Sequence, residues 1–269
     1  MTKYLWMNLK VTLKNPHLIF WAILFIEFWV FMWAYVFGSW LPSDASVIQG
    51  YTAAAYSNLL TISISSVAMA LVNSILYASR SLRFVTKYTS LSSARFLIEN
   101  LASSVFTLLI VSGILFLSTG LVFSSRFGFP IPVDNPVGLA FVTLLGTILI
   151  YVLSVTLGLL IIALRAFRFA NFLSSLPLIF AFVTYSALWI DFNSAIYLSP
   201  FNVLASLMYY YFCSEIPPTG NYFMAGHRTF VNLNLAWLSL LTYILVLTAV
   251  SMALLRKVKG VSIEEIRLT

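Results

Sequence analysis

Long apolar runs alternate with short polar segments along the whole chain. The runs lie at about 17–38, 51–78, 97–123, 137–164, 172–190 and 234–255. As a helix rising about 1.5 Å per residue, each can cross a hydrocarbon core about 30 Å thick. The strands of a membrane β-barrel would alternate polar and apolar residues, which these runs do not. The pattern predicts an all-α integral membrane protein, with six transmembrane helices in a single transmembrane domain over 1–269.

Composition supports a membrane setting. The chain is 61% hydrophobic and only 9% charged, with a mean hydropathy of +0.97. A soluble domain carries about 25% charged residues, because its surface must face water. The formal charge of +7 does not indicate a nucleic-acid partner, since in a membrane protein the position of the charges matters more than their sum.

The basic residues predict an orientation. If both termini are cytoplasmic, every Lys and Arg except Arg126 and Arg228 lies on the inner side or close to it. Cytoplasmic loops carry the excess of Lys and Arg in membrane proteins. We therefore expect a multi-pass protein of the cell membrane with both termini in the cytoplasm.

One apolar segment does not fit as a further crossing. Residues 196–213, "IYLSPFNVLASLMYYYFC", could form a seventh span, which would place "LRKVKG" on the outer side against the charge rule. Pro200 near the start and "EIPPTGNYF" after the end favour a shorter element. The sequence predicts an outer re-entrant or interfacial region over 191–233, between helices 5 and 6.

The first 16 residues predict an amphipathic interfacial helix. At about 100° per residue, Lys3, Lys10 and Lys14 share one stripe, whereas Trp6 falls with the leucines on another face. Such a helix lies along the inner surface with Trp at headgroup depth. Simple anchoring to anionic membrane lipid and an additional contact with a partner both remain open.

A basic and aromatic segment, 79–96, follows the second span. Written as a helix, its cations and its large apolar residues form two adjoining stripes, Arg80, Arg83 and Lys87 beside Phe84, Tyr88 and Leu91. A loop that is basic only to fix topology would explain the charges. Topology needs no aromatic row, however, and an exposed row of this kind is an expected site of protein contact.

A shorter segment, "LRAFRFAN" at 164–171, joins the fourth and fifth spans. It also pairs cations with aromatic side chains, through Arg165, Phe167 and Arg168. A plain topology loop remains the simpler interpretation of this segment.

Polar residues inside the spans need an explanation, because lipid cannot solvate them. Glu27 stands in the middle of the first span, where a carboxylate costs about 2.5–3.5 kcal/mol on insertion scales. It is either a substrate-pathway or interface residue, or a partner in an interhelical hydrogen bond that orders packing. The second span is rich in small and polar residues, among them Asn58, Ser65 and Asn73. Such helices pack closely, and we expect this one beside the pathway or beside another subunit.

No catalytic constellation is present. The chain lacks G-x-x-x-x-G-K-[ST], H-E-x-x-H and G-x-S-x-G, and its two histidines, His17 and His227, are far apart in sequence. We expect no enzyme activity from this chain alone, and no catalytic, cofactor-binding or metal-binding residue.

In the order of its parts, the chain resembles the membrane subunit of ABC-2-type transporters. The parts are "TKYLWMNLKVTLKNP" before the first span, six spans, a long basic segment after span two, and "YLSPFNVLASLMYYYF" between spans five and six. That last stretch is similar to the Asn-Pro-leading region of the family, although the pair here is Ser199-Pro200. The resemblance covers nearly the whole chain and rests on architecture, without an invariant motif.

The resemblance implies an ABC exporter permease that works as a dimer with a second or homologous permease. The partner ABC ATPase subunit would bind ATP and Mg, and the segment after span two would dock in a cleft of that ATPase. The carried-over contacts are Arg80, Arg83, Phe84, Lys87, Tyr88 and Leu91, with a smaller contact through Arg165, Phe167 and Arg168. The abundant aromatic residues would suit an amphipathic or hydrophobic substrate.

One alternative from a different class remains. An ion-gradient-driven secondary transporter or channel would use Glu27 and would need no ATP.

Overall fold

The computed structural model describes residues 2–88, 93–222 and 229–257. In these ranges, six helical segments are long and apolar enough to cross a membrane: Ile19–Trp40, Ala45–Leu76, Glu99–Phe127, Pro136–Ala163, Phe167–Leu188 and Leu233–Leu255. Each overlaps one of the six predicted runs. The prediction of an all-α, multi-pass membrane protein with six long apolar helices is confirmed.

The α-helices are α1 (Thr2–Leu13), α2 (Pro16–Leu18), α3 (Phe25–Phe31), α4 (Ala45–Tyr88), α5 (Ser93–Phe127), α6 (Pro136–Ala163), α7 (Ala170–Tyr185), α8 (Pro200–Cys213) and α9 (Leu233–Lys257). Two π-helical stretches, Ile19–Leu24 and Met32–Val36, flank α3. Short 3-10 turns cover Phe37–Trp40, Phe167–Phe169, Ser186–Leu188 and Asn193–Leu198. Two isolated backbone bridges pair Asp191 with Gly220 and Pro218 with Phe230.

The first span packs through one narrow stripe. Its buried side chains recur at steps of three or four residues, at Leu18, Ala22, Ile26, Val30 and Trp33. This spacing keeps them on one helical face, and that face lies against α4. The rest of the span exposes large aromatic and aliphatic side chains, as expected of a helix that meets lipid.

Helix α4 is the centre of the bundle. It packs against the first span and against α5, α6, α7 and α8, and every residue from 51 to 68 is buried. Alanines, serines and threonines occupy many of these positions. Small side chains allow other helices to approach closely, which explains how one helix can be covered on all sides.

The hydroxyl groups of α4 are satisfied mainly by backbone carbonyls. Thr61 Oγ1 donates to Ser57 O at 2.8 Å within the helix. Ser63 Oγ donates across to Ala22 O of the first span at 2.7 Å. Such bonds let a hydroxyl group enter an apolar bundle without losing a hydrogen-bond partner.

Helix α8 is too short to cross a bilayer and is almost wholly buried. Its 14 residues span about 21 Å, and it packs against α4, α6, α7 and α9. Ser199 caps its first turn, accepting a hydrogen bond from Asn202 N at 3.3 Å, and Pro200 stands at its first position. The segment predicted not to form a seventh span is therefore a short helix inserted among the spans.

Six crossings divide the connections between two ends of the bundle. The basic end is the end that carries Arg80, Arg83, Lys87, Arg95, Arg165 and Arg168. The acidic end is the end that carries Asp44, Asp134, Asp191 and Glu215. At the acidic end, the connection between α5 and α6 is hydrogen bonded to the end of α8, where Asp134 N donates to Phe212 O at 3.0 Å.

Candidate functional site

Helix α4 does not stop where its apolar span stops. The apolar run in the sequence of this helix ends at about residue 78, but the helix continues without a break to Tyr88. This extension places Arg80, Arg83, Phe84, Lys87 and Tyr88 on a helix, as the sequence predicted. Leu91, the last residue of the predicted aromatic row, lies outside the described residues.

The α6–α7 connection lies at the same end and packs against α4. Phe167 is 8% exposed and joins Val72 of α4, with Ile161 and Ile162 of α6, in a small apolar cluster. Arg165 adopts a left-handed backbone conformation (φ 53°) that turns the chain after α6. The two predicted contact segments are therefore neighbours in the fold.

The three residues of this connection that were predicted to contact a partner differ in their exposure. Arg165 and Arg168 are exposed, in keeping with a contact surface. Phe167 is buried in the chain's own packing, and its contact with a partner stays a prediction. The exposed aromatic residue of the connection is Phe169, at 59%. The sequence could not separate the two phenylalanines, because their burial depends on Val72, which is distant along the chain.

Helix α1 packs against α5, with Leu9 buried. Lys10 and Lys14 are exposed, and Lys3 falls on the same helical stripe. Trp6 was expected on the leucine face but is 64% exposed. Trp6 and Leu9 are three residues apart, about 60° on the helix, so Trp6 sits at the edge of the lysine arc. This position suits an indole in a headgroup layer.

Glu27 is only partly buried, and its side chain lies near that of Ser118 of α5. On α5, Leu117 and Leu121 beside Ser118 are 63% and 72% exposed. Glu27 therefore lies between helices at the outer surface of the bundle.

Unlike Glu27, the polar residues of α4 lie inside the bundle. Asn58 is buried and donates from Nδ2 to Ala54 O at 2.9 Å. Ser65 is fully buried, and its Oγ has no hydrogen-bond partner among the described residues. Asn73 is partly buried. Asn58 and Ser65 therefore face this chain's own helices, which pack closely on the small residues of α4. Their place beside a substrate pathway or another subunit stays a prediction.

The acidic end is held by a network around Asp191. Its Oδ1 accepts hydrogen bonds from Thr219 Oγ1 at 2.5 Å and from Asn193 N at 2.9 Å. Thr229 Oγ1 donates to Oδ2 at 3.4 Å. Burial acts to raise the pKa of Asp191, but these hydrogen bonds outweigh it and leave the pKa below its ordinary value.

Close backbone packing reinforces this network. A Cβ atom added at Gly220 would lie 2.1 Å from Ile190 O, so only glycine allows the strand-like pairing of Asp191 with Gly220. The described parts of the connection between the last two crossings are therefore tightly packed around Asp191.

A cleft opens at this end between the start of α4 and the end of α8. It has a volume of about 350 Å³, and Gly50, Tyr51, Tyr209, Glu215 and Tyr222 are among the residues that line it. Sequence reasoning missed the cleft, because it joins segments more than 150 residues apart. A faint signal was present: "YYYFC" precedes Glu215, in a region where acids outnumber bases.

Comparison of the chain with protein-family models, with curated proteins and with solved structures finds no match.

Proposed function

We propose that this chain is the membrane-spanning permease subunit of an ATP-driven exporter, coupled to a separate ATP-hydrolysing subunit. The observation that carries the proposal is the extension of α4. A helix buried along its span continues past its apolar run to Tyr88 as a basic and aromatic segment. Such a helix is a natural docking element for a protein at the membrane surface.

The short α6–α7 connection supports a shared docking surface. Phe167 holds it against Val72 of α4, and Arg165 and Arg168 remain exposed. Arginines and aromatic residues are enriched in the energetically important parts of protein interfaces. The ATPase would bind ATP and Mg, and this chain would bind neither.

A second permease copy is part of the proposal, and Glu27 supports it. A carboxyl group within a span is costly where it meets lipid. Glu27 is partly buried and lies beside Ser118, on a face where Leu117 and Leu121 are exposed. A second copy or a homologous permease packed on this face would remove the carboxyl group from lipid.

The coupling surface can be tested by exchanging its aromatic residues. Tagged chain carrying Phe84→Ala and Tyr88→Ala is purified from membranes of its own host, and ATP hydrolysis in the eluate is measured. We expect at least about a tenfold loss relative to the wild type. Trp40→Ala, which removes an exposed aromatic residue (92%) at the acidic end, is the matched control and should retain the activity. Wild-type eluate without ATP hydrolysis, or equal loss in both variants, contradicts the proposal.

Glu27→Gln separates the exporter from the ion-gradient alternative. Glutamine keeps the shape and polarity of the side chain and cannot carry a proton. In inverted membrane vesicles, we expect ATP-driven uptake of a fluorescent amphipathic dye to stay within about twofold of wild type, given the small net value of one hydrogen bond. Uptake that needs no ATP, responds to an ion gradient and disappears in Glu27→Gln would favour the alternative.

A further inference from the structure

The cleft at the acidic end combines three aromatic rings with one carboxylate. Tyr51 lines it from α4, Tyr209 from α8, and Tyr222 from the loop that follows α8. The Tyr209 and Tyr222 rings meet edge to face, with centroids 5.4 Å apart. Glu215 lies at the rim, with Oε2 3.5 Å from Tyr209 Oη, and its side chain is exposed. A ligand entering the cleft would meet aromatic rings and a negative charge together.

Gly50 makes this arrangement possible. A Cβ atom at this position would lie 3.1 Å from Tyr209 Oη and 3.6 Å from Glu215 Oε2. The phenol and the carboxylate therefore close directly over the backbone of α4. The position also offers a way to fill the cleft, because a large side chain at Gly50 would occupy the space beneath both groups.

The charges around the cleft have one sign. Asp44 and Asp134 stand on neighbouring connections, and hydrogen bonds from Ser46 hold the pKa of Asp44 below its usual value. Among the described residues of this end, Arg126 is the only Lys or Arg, and it stacks over the ring of Phe127 at 5.6 Å. Charges of one sign around a concave site raise the local concentration of the opposite ion.

We propose that this cleft binds an organic ammonium ion. Aromatic rings attract ammonium groups through their negative faces, and a carboxylate completes such a site. A bare metal cation is disfavoured, because Ca²⁺ requires about six to eight oxygen ligands, and Glu215 is the only carboxylate among the described residues that line the cleft. The ammonium group can belong to a lipid headgroup or to a soluble amine, and the chemistry of recognition is the same.

Binding can be measured on the full chain alone, so the result does not depend on the exporter proposal. The purified protein is placed in nanodiscs of phosphatidylglycerol, which carries no ammonium group, and titrated with choline by calorimetry. The matched ligand is 3,3-dimethyl-1-butanol, which has the shape of choline without its charge. We expect saturable binding of choline and at least about tenfold weaker binding of the neutral alcohol. Equal binding of the two, or no binding of choline, overturns the proposal.

Substitutions locate the site. Glu215→Gln keeps the shape of the side chain and removes its charge, and we expect about tenfold weaker binding of choline. Gly50→Leu should abolish binding by filling the cleft. Trp40→Ala is the control: it removes an exposed aromatic residue of the same end that does not line the cleft, so binding should stay within about twofold. Unchanged binding in Glu215→Gln overturns the proposal even if Gly50→Leu does not fold.

A competition experiment distinguishes a lipid headgroup from a soluble amine as the source of the ammonium group. Nanodiscs that contain phosphatidylcholine would block the choline titration if the site takes a lipid headgroup. An undiminished titration in the same nanodiscs would assign the site to a soluble amine.

Discussion

The two ends of the bundle are built in opposite ways. At the acidic end, the connections are tied together by the Asp191 network, by two backbone bridges and by the buried helix α8. At the basic end, α4 extends as a helix past its own span, and α5 begins only five residues after α4 ends. One end is closed on itself around a cleft, whereas the other presents a helix. The contrast suggests that the two ends meet different partners, a small ligand and a protein.

The first test of this contrast asks which end faces the outside of the cell. In a Cys213→Ser background, single cysteines are placed by Ser43→Cys at the acidic end and Ser81→Cys at the basic end. Serine can keep the hydrogen bond from Cys213 Sγ to Tyr209 O (3.4 Å). On intact cells, a membrane-impermeant maleimide should label only Ser43→Cys, since the basic end is expected inside.

Permeabilised cells are the control for this experiment, and there Ser81→Cys should react as well. Labelling of Ser81→Cys on intact cells would reverse the orientation, and the docking proposal would fail with it.

The second test separates packing from contact at the basic end. Phe167→Ala removes a buried ring from the cluster with Val72, and we expect a loss of about 3 kcal/mol of stability. Phe169→Ala removes an exposed ring and should cost no more than about 0.5 kcal/mol. Thermal unfolding in detergent compares the two variants. Equal losses would show that the connection is not anchored as the structure has it.

The smallest expected effect concerns the acidic end at low pH. Because the pKa of Asp191 is lowered, ionised Asp191 stabilises the folded loop above its unfolded pKa of about 3.9. That stabilisation is lost as the pH falls through the lower folded value. Between pH 5 and pH 3, the melting temperature of the wild type should fall further than that of Asp191→Asn, by about 2 °C or less. An identical pH response in the two proteins would rule out a role for this carboxylate.

The coarse architecture could be predicted from local sequence. The length of each apolar run follows from the thickness of the bilayer, so the six spans needed no tertiary information. The short helix α8 was also indicated locally, by Pro200 and by the position of the basic residues that follow. The polar and small character of α4 indicated burial correctly.

Side-chain roles could not be predicted in the same way. The sequence does not show which of Phe167 and Phe169 is buried. Phe167 is buried because it packs against Val72, which is distant along the chain. Nothing in the sequence shows that Asn58 and Ser65 pack against helices of the same chain. The cleft brings Gly50 together with Glu215, and periodicity within a single helix cannot reveal such a pairing.

Helix α4 also links the two ends mechanically. Gly50 lies in the cleft and Arg83 on the extension, 33 positions further along one unbroken helix, which corresponds to about 50 Å. A rod of this length cannot tilt at one end without displacing the other. Under the proposed docking, a tilt of the extension would move the other end of the same helix, which lines the cleft.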